Sequence, residues 1–451
     1  MRAETLLLIG TSGILGLHTL AVVYDCLRCW RAIPLLQRHA WRLKSLRHLN
    51  TMDEASLPPL TLLLPLRNQV DEAVSLIRRM MALKYPKVEY LIINDGSDDK
   101  TLHLLQEQLG LHPVPRFPVA ELNSMPVRGV YQSEDSPRLW VIDKEAGGPA
   151  DAINAGLNFC QTPLVGMLSA RIQPLPDALI QATRPFLEQA NTWAVCGRIR
   201  PSAGARPRLL ATTRWGRIQT LLTQRDELLD AVLDSQASRY ARLSPDLTLF
   251  RRTSLVEAGG FSRTSSDYFA DMAVRLYRVA KIQGDQMQLV FVPDTLGWRQ
   301  GAENAAELKQ YFEQEQDRSR LLIQAGSNLP GRRGILFRQR WLPLLNLLTW
   351  LSAVPLAVLA PLWLPVWLLI LLAPASIWQL VLMLGERTDH RFSFDEVKKL
   401  QQEAWVLPLL GLPLLSIWQL RNGMKSPPPP ASPTAGSTRP LQTSPLKPVA
   451  K

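Results

Sequence analysis

An aspartate followed by an acidic, glycine-containing turn is the first feature of this sequence that could carry chemistry. Asp95 ends the apolar run VEYLIIND, and the turn Gly-Ser-Asp-Asp follows directly. A carboxylate at the end of a buried strand can bind a ligand, because ligands of open α/β sheets bind beyond the carboxyl ends of the strands. The same aspartate could instead form an Asx-type turn with the residues after it. The residues alone leave both interpretations open.

The cysteines follow no metal-binding or disulfide pattern. Cys26 and Cys29 form an isolated C-x-x-C, whereas a structural zinc site needs four ligands, and no second pair or histidine cluster accompanies them. We interpret these two residues as thiols at a membrane interface. Cys160 and Cys196 stand alone in the central region. This usage fits a reduced, cytosolic compartment.

The middle of the chain alternates between strand and helix patterns. Short apolar runs at residues 60–66, 88–95, 139–143 and 163–168 are typical of buried strands. Helical patterns separate them, and the first of these ends before Pro86. This alternation predicts an α/β fold with a mostly parallel sheet.

Apolar runs at both ends of the chain indicate membrane segments. Residues 6–24 are almost all apolar, and a transmembrane helix needs about 20 such residues. The stretch from Arg28 to Arg47 is basic, so the positive-inside rule places it in the cytosol. Two further runs, 341–359 and 362–384, are typical of a helical hairpin. The net charge of +12 collects beside these runs, which favours a membrane protein over a nucleic-acid-binding one.

The last apolar run, residues 404–420, gives conflicting signals. If it spans the membrane, the tail that follows lies outside the cytosol. That tail carries basic residues and no acidic ones, which favours the cytosolic side. We slightly favour a full span over a re-entrant or interfacial segment. The tail itself is rich in proline, serine and threonine and is predicted to be disordered.

These patterns divide the chain into segments of different character. We expect an N-terminal transmembrane helix (1–25), a basic cytosolic linker (26–58), the α/β domain (59–325), two transmembrane helices (336–384), an amphipathic cytosolic segment (385–403), a last membrane segment (404–420) and the disordered tail (421–451).

The central region resembles the family 2 glycosyltransferases, which include cellulose synthases, poly-N-acetylglucosamine synthases and ceramide glucosyltransferases. The resemblance begins with PLTLLLPLRNQVDEAVSLIRRMMALKYPKVEYLIINDGSDDKT and continues through LWVIDKEAGGPADAINAGL and LTLFRRTSLVEAGGF. It covers about residues 60–320, with apolar runs on both sides. It implies a GT-A domain flanked by transmembrane helices, with the domain facing the cytosol at the inner or plasma membrane.

The resemblance also implies the residues of a nucleotide-sugar site, with a UDP-sugar as one candidate donor. Pro65, Asn68 and Asp95 match positions that hold the nucleotide base, and Asp151 matches a donor-site aspartate. The family has lysine two places before that aspartate, where this chain has Pro149.

The family's metal site is altered. Relatives carry Asp-x-Asp after the fourth strand, which holds Mn²⁺ or Mg²⁺ against the donor diphosphate. Here the corresponding residues are Ser169, Ala170 and Arg171, so both carboxylates are missing and no metal site is expected. A guanidinium can bind phosphate directly, so Arg171 could replace the metal. Alternatively, it could pair with Asp95 or Asp151 and close the site.

Two further family signatures are altered. The Glu-Asp pair whose aspartate serves as catalytic base falls on Tyr268 and Phe269, flanked by Asp267 and Asp271. A loop shift could bring Asp267 into use as the base, and Asp271 matches a structural acid. Gln-x-x-Arg-Trp is replaced by YFEQEQDRSRLLIQ, in which Arg318 could still bind phosphate.

Two functional hypotheses follow. The chain could transfer a sugar from a nucleotide-sugar donor to a lipid or glycan acceptor in envelope glycan synthesis. It could instead be a catalytically inactive relative that supports or regulates a partner glycosyltransferase. A transport protein is the weaker third idea, because three spans are too few for a path within one subunit.

Overall fold

A mixed sheet of ten strands forms the centre of the protein. The computed structural model describes residues 3–49, 56–70, 73–120, 122–203, 210–239, 242–324, 332–337, 341–389 and 394–406. The strands are β1 (Leu60–Leu66), β2 (Val88–Asp95), β3 (Leu111–Pro113), β4 (Val127–Ser133), β5 (Leu139–Lys144), β6 (Leu164–Leu168), β7 (Ile172–Pro174), β8 (Thr192–Ser202), β9 (Leu247–Arg251) and β10 (Gln288–Gln300). Their spatial order is β3-β4-β5-β2-β1-β6-β9-β8-β10-β7.

The centre of the sheet is parallel, and antiparallel strands extend it on both sides. Strands β5, β2, β1 and β6 are parallel neighbours. Strand β9 pairs antiparallel with both β6 and β8, and β8 pairs parallel with β10. The α/β prediction is confirmed, with more antiparallel pairing than the sequence pattern indicates. The parallel centre brings the carboxyl ends of β1, β2, β5 and β6 to one edge, where ligands of such sheets bind.

Helices cover both faces of this sheet. They are α2 (Ala73–Met81), α3 (Thr101–Gln108), α4 (Pro149–Phe159), α5 (Ala178–Glu188), α6 (Arg214–Arg225), α7 (Val232–Gln236), α8 (Arg252–Glu257), α9 (Tyr268–Gln283) and α10 (Ala305–Gln324). Helices α4, α6 and α9 pack on one face, and α2 and α5 on the other. Between α6 and α7 the chain continues without a break as a π-helical segment, Asp226–Ala231. Such segments are rare in proteins, and those that occur often lie at functional sites.

The N-terminal helix α1 extends from Ala3 to Leu49, through much of the segment expected as a linker. The continuation has a packing reason, because Cys29, Ala32 and Leu36 are buried in the same core cluster as α4 and α9. Cys26 is exposed, and all four cysteines are free thiols.

Ion pairs also join α1 to the domain. Asp25 pairs with Arg225 at 3.0 Å, Arg28 pairs with the buried Asp230, and His39 lies 2.7 Å from Asp294 on β10. Two of these contacts reach the π-helical segment or the residue before it. Helix α1 therefore holds this segment from outside the sheet.

The C-terminal helices are α11 (Arg332–Leu336), α12 (Leu342–Leu351), α13 (Ala353–Leu359), α14 (Leu364–Asp389) and α15 (Phe394–Val406). By length and composition, two helical stretches in the described residues could cross a membrane, Ile9–His39 and Leu342–Leu359. The carboxylate of Glu403 on α15 joins Arg217 on α6 at 2.9 Å. The last apolar run, predicted over 404–420, begins within α15, and its part from residue 407 onward lies outside the described residues together with the tail.

Candidate functional site

Asn68 joins the ends of β1 and β2. It follows Pro65 and the end of β1 in a left-handed conformation, with φ of 51°. Its Oδ1 accepts from the backbone of Asp98 at 2.9 Å, and its own N–H donates to Ser97 Oγ at 3.1 Å. The side chain predicted to contact a nucleotide base therefore holds the acidic turn after β2 in place.

The carboxylate of Asp95 binds the loop before α4 rather than solvent. Asp95 is 3% exposed, and it accepts from the backbone N–H groups of Gly147 and Gly148 at 2.9 and 2.8 Å. Gly96, with φ of 59°, lies so close to this loop that a Cβ there would meet the Ala146 nitrogen at 2.5 Å. The turn after β2 and the glycine turn before α4 thus form one unit.

A buried lysine connects the two predicted donor-site aspartates. Lys144, at the end of β5, lies 2.7 Å from Asp95 and 2.6 Å from Asp151, and its side chain is fully buried. Asp151 also pairs with Arg263 at 3.1 Å and accepts from the backbone of Met125. The structure therefore brings Asp95 and Asp151 together around Lys144, and cations of the chain neutralise both. Sequence reasoning missed Lys144, because one lysine at a strand end has no distinctive pattern.

Arg171 stands at the carboxyl end of β6 without blocking the aspartates. Its backbone N–H donates to Ser169 Oγ at 3.2 Å, and its side chain is exposed. Within the described part of the chain it forms no ion pair, since Lys144 takes the place beside Asp95 and Asp151. The alternative in which Arg171 closes the site by pairing with them is wrong for this structure.

The residues after β6 do not fit the divalent metal of the family. Ser169, Ala170 and Arg171 offer a hydroxyl, a methyl group and a cation, whereas Mg²⁺ and Mn²⁺ require oxygen donors, chiefly carboxylates. No group of three or more histidine, cysteine, aspartate or glutamate side chains is clustered for metal binding among the described residues.

A polar cavity of about 690 Å³ opens beside Arg171, between the ends of β6, β8 and β10 and the helices α6 and α10. Arg318 of α10 and Arg171 both line it, so the structure brings these two predicted phosphate-binding residues to one space. The other predicted site residues do not line this cavity: Pro65, Asn68, Asp95, Asp151, Asp267 and Asp271.

Asp267 and Asp271 have structural contacts. Asp267 caps the N-terminus of α9 by accepting from the backbone of Phe269 and Ala270, and it pairs with Arg318 at 2.7 Å. Asp271 pairs with Arg275 one turn along the same helix at 2.6 Å. Both carboxylate oxygens of Asp267 are therefore engaged, Oδ1 by the backbone of α9 and Oδ2 by Arg318, which does not suit a catalytic base.

Aromatic rings fill the place where the family's catalytic carboxylate is expected. The ring of Phe269 lies 5.3 Å from Phe261 and 5.1 Å from Tyr268, and Phe269 is 1% exposed. Burial raises the pKa of the Tyr268 hydroxyl, with Asp267 adding to the shift and Arg171 opposing it. The cluster stabilises the N-terminal turn of α9 and offers no proton acceptor.

Sequence reasoning missed the carboxylates that line the cavity, and Glu227 is the one with the most unusual surroundings. Glu227 lies in the π-helical segment, and its Oε2 is 3.3 Å from Nε of Arg198, which is almost fully buried behind it on β8. Burial raises the pKa of Glu227 to about 7, and the arginines Arg198, Arg299 and Arg200 oppose that shift. No local motif marks Glu227, since its environment is created by strands distant in sequence.

No family model matches the chain. Among solved structures, a mannosyltransferase from Pyrobaculum calidifontis in complex with GDP-Man and Mn²⁺ is 17% identical, with a TM-score of 0.48 over 88% of this chain and 99% of that one. TarS from Staphylococcus aureus in complex with UDP-GlcNAc is 12% identical, with a TM-score of 0.40 over 81% and 92% of the two chains.

Curated relatives carry the clearer similarity. The chain is 28% identical over 254 residues to a poly-beta-1,6-N-acetyl-D-glucosamine synthase of Staphylococcus aureus (strain MSSA476), covering 54% of this chain and 53% of that protein. It is 26% identical over 196 residues to a beta-monoglucosyldiacylglycerol synthase of Trichormus variabilis, covering 42% and 32%. The chain spans about half the length of the first of these relatives. Over about half of its length, the chain is thus similar to curated synthases of a polysaccharide and of a glycolipid.

Proposed function

We propose that this chain transfers a sugar from a nucleotide-sugar donor to a lipid or glycan acceptor, at the cytosolic face of the inner or plasma membrane, in envelope glycan synthesis. The observation that supports this most is the cavity beside β6, which Arg171 and Arg318 line next to the carboxyl ends of the parallel strands. Two guanidinium groups at this position can bind a diphosphate.

In this proposal Arg171 takes over the charge neutralisation that a metal gives in the family. The donor diphosphate leaves with negative charge, and preorganised cations stabilise that charge in the transition state. Arg171 is available for this because Lys144, rather than Arg171, neutralises Asp95 and Asp151. Arg318 is less available, since Asp267 and Glu315 already bind it at 2.7 and 2.9 Å.

The membrane proposal rests on α1 and the C-terminal helices. The stretches Ile9–His39 and Leu342–Leu359 are long and apolar enough to cross a bilayer. The basic residues that follow the first apolar run favour a cytosolic position for the domain. A lipid or growing glycan would then approach the cavity from the side of the membrane helices.

A catalytically inactive relative is the second candidate, and specific contacts favour it. Asp95 and Asp151 are both neutralised within the chain, and aromatic rings occupy the expected position of the base. Such a protein would bind nucleotide or nothing, and would act on envelope glycan synthesis through a partner glycosyltransferase.

Calorimetry on the detergent-purified full chain tests the donor site. UDP-sugars and GDP-sugars are titrated with Mn²⁺ and again with EDTA, into the wild type, Arg171→Ala, Arg171→Lys and the surface control Arg79→Ala. We expect binding that ignores EDTA and weakens about 10- to 100-fold in Arg171→Ala, because hydrogen bonds to charged groups contribute about 1.5–3 kcal/mol. Arg171→Lys should recover part of the affinity, and Arg79→Ala all of it.

Two other results of this experiment would contradict the proposal. Absence of binding for every sugar nucleotide, in a chain whose thermal unfolding is cooperative, would leave the inactive relative as the function. Binding that requires Mn²⁺ and is unchanged in Arg171→Ala would remove Arg171 from the donor site.

A further inference from the structure

Glu227 is the cavity carboxylate whose surroundings suit a proton acceptor. The other acids in the cavity wall have fixed partners. Asp246 accepts a hydrogen bond from Arg299 at 3.4 Å, Glu315 from Arg318 at 2.9 Å, and Glu307 from Asn304 at 2.8 Å. Asp226 pairs with Arg242 at 3.8 Å and is 40% exposed.

The carboxylate of Glu227 retains free lone pairs that face the cavity. Its side chain is 18% exposed, and it lines the cavity while Arg198, 1% exposed, lies behind it. Among the described residues its oxygens accept no hydrogen bond, and the one ion pair with Arg198 is at 3.3 Å. A general base needs such an oxygen within reach of the hydroxyl that it deprotonates.

Arg171 and Glu227 line the same cavity. Arg171 follows β6 and Glu227 packs on β8, and β9 lies between these strands. Neighbouring strands are about 4.8 Å apart, so about 10 Å separates β6 from β8. The cavity of about 690 Å³ leaves room for a reacting sugar in contact with both side chains.

We propose that Glu227 accepts the proton of the acceptor hydroxyl, in place of the carboxylate that the family carries at the start of α9. This step rests on the glycosyltransferase function proposed above. The acceptor oxygen forms a bond to the anomeric carbon of the donor sugar as its proton passes to Glu227. The bond from that carbon to the phosphate oxygen breaks, and its electron pair leaves with the nucleoside diphosphate.

The charged groups around Glu227 set the pH at which it can act. Arg198 and Arg200 on β8 and Arg299 on β10 favour the ionised form, and Asp226 beside it disfavours that form. Burial outweighs the arginines and raises the pKa of Glu227 to about 7. A base is most effective when its pKa lies near the working pH, because it is then both ionised and able to hold a proton.

The test compares Glu227→Gln, Glu227→Asp and the surface control Glu313→Gln in turnover of the donor that binds the wild type. We expect Glu227→Gln to lower kcat about 10²- to 10⁴-fold, the usual contribution of a general base, with little change in donor affinity. Glu227→Asp should retain part of the rate, and Glu313→Gln should match the wild type.

The pH profile gives a readout that a structural role would not move. In the wild type, kcat should rise with pH through about 7 as Glu227 becomes ionised, and this rise should vanish in Glu227→Gln. A Glu227→Gln enzyme within threefold of wild type overturns the assignment and leaves the glycosyltransferase function standing. Loss of donor binding along with turnover would make Glu227 structural. A wild type that binds but turns over no donor removes both proposals.

Discussion

Lys144 limits which ligands can bind Asp95 and Asp151, the two predicted donor-site aspartates, because it already pairs with both. It is fully buried between Asp95 and Asp151, and a buried cation between two carboxylates is stabilised only as a complete set. Any nucleotide that contacts Asp95 must therefore contact a carboxylate that already holds Lys144 and the glycine turn before α4. This arrangement favours a rigid donor site over one that forms on binding.

Replacing Lys144 tests how much the set stabilises the fold. Lys144→Met leaves two buried carboxylates together, and breaking a buried ion pair costs about 3–5 kcal/mol. We expect a clear fall in the thermal unfolding midpoint in detergent. Lys100→Met, on an exposed turn, should stay within about 0.5 kcal/mol of the wild type. Equal stability of the two variants would contradict this account of Lys144.

Elements were easier to predict than contacts. The apolar runs gave β1, β2, β5 and β6 nearly to the residue, because buried parallel strands are continuous in hydrophobicity. The same runs brought Asp95 to the correct edge of the sheet. Its partner Lys144 and the cavity acid Glu227 could not be predicted, because their environment depends on strands distant in sequence.

The long α1 and the π-helical segment also escaped prediction. Charge after the first apolar run indicated a linker, but the helix continues because Ala32 and Leu36 pack into the domain core. The π-helical segment contacts α1 through Asp230 and β8 through Glu227, and no local residue pattern specifies its geometry. Tertiary packing decided both features.

The contact between α1 and the π-helical segment should be energetically coupled. Arg28→Met leaves Asp230, 2% exposed, without its α1 cation and should cost about 3 kcal/mol. The double variant Arg28→Met with Asp230→Leu should recover much of this loss, because both charges are then absent. Arg31→Met, exposed on the same helix, is the matched control. Strictly additive effects on thermal unfolding would argue against the coupling.

At the scale of the whole molecule, the proposed topology places the catalytic-type domain and the turn between α13 and α14 on opposite sides of the membrane. Two cysteine variants report the two sides, each made in a Cys26→Ser background. Lys309→Cys lies on α10, and Leu362→Cys replaces a leucine that is 91% exposed. A membrane-impermeant maleimide should label Lys309→Cys in vesicles with the cytosolic face outward and Leu362→Cys in intact cells. Labelling of both from one side would rule out the hairpin.

The length of α1 makes bilayer thickness a variable of the site. Its 47 residues extend about 70 Å at 1.5 Å per residue, whereas the hydrocarbon core takes about 30 Å. In the proposed orientation, the remainder of the helix lies outside the membrane. There Asp25 pairs with Arg225 and Arg28 with Asp230, in or next to the π-helical segment that carries Glu227. Helices respond to a thinner or thicker bilayer by tilting. Lipid composition would therefore change the tilt of α1 and, through its ion pairs, the position of the π-helical segment in the cavity, without any ligand binding.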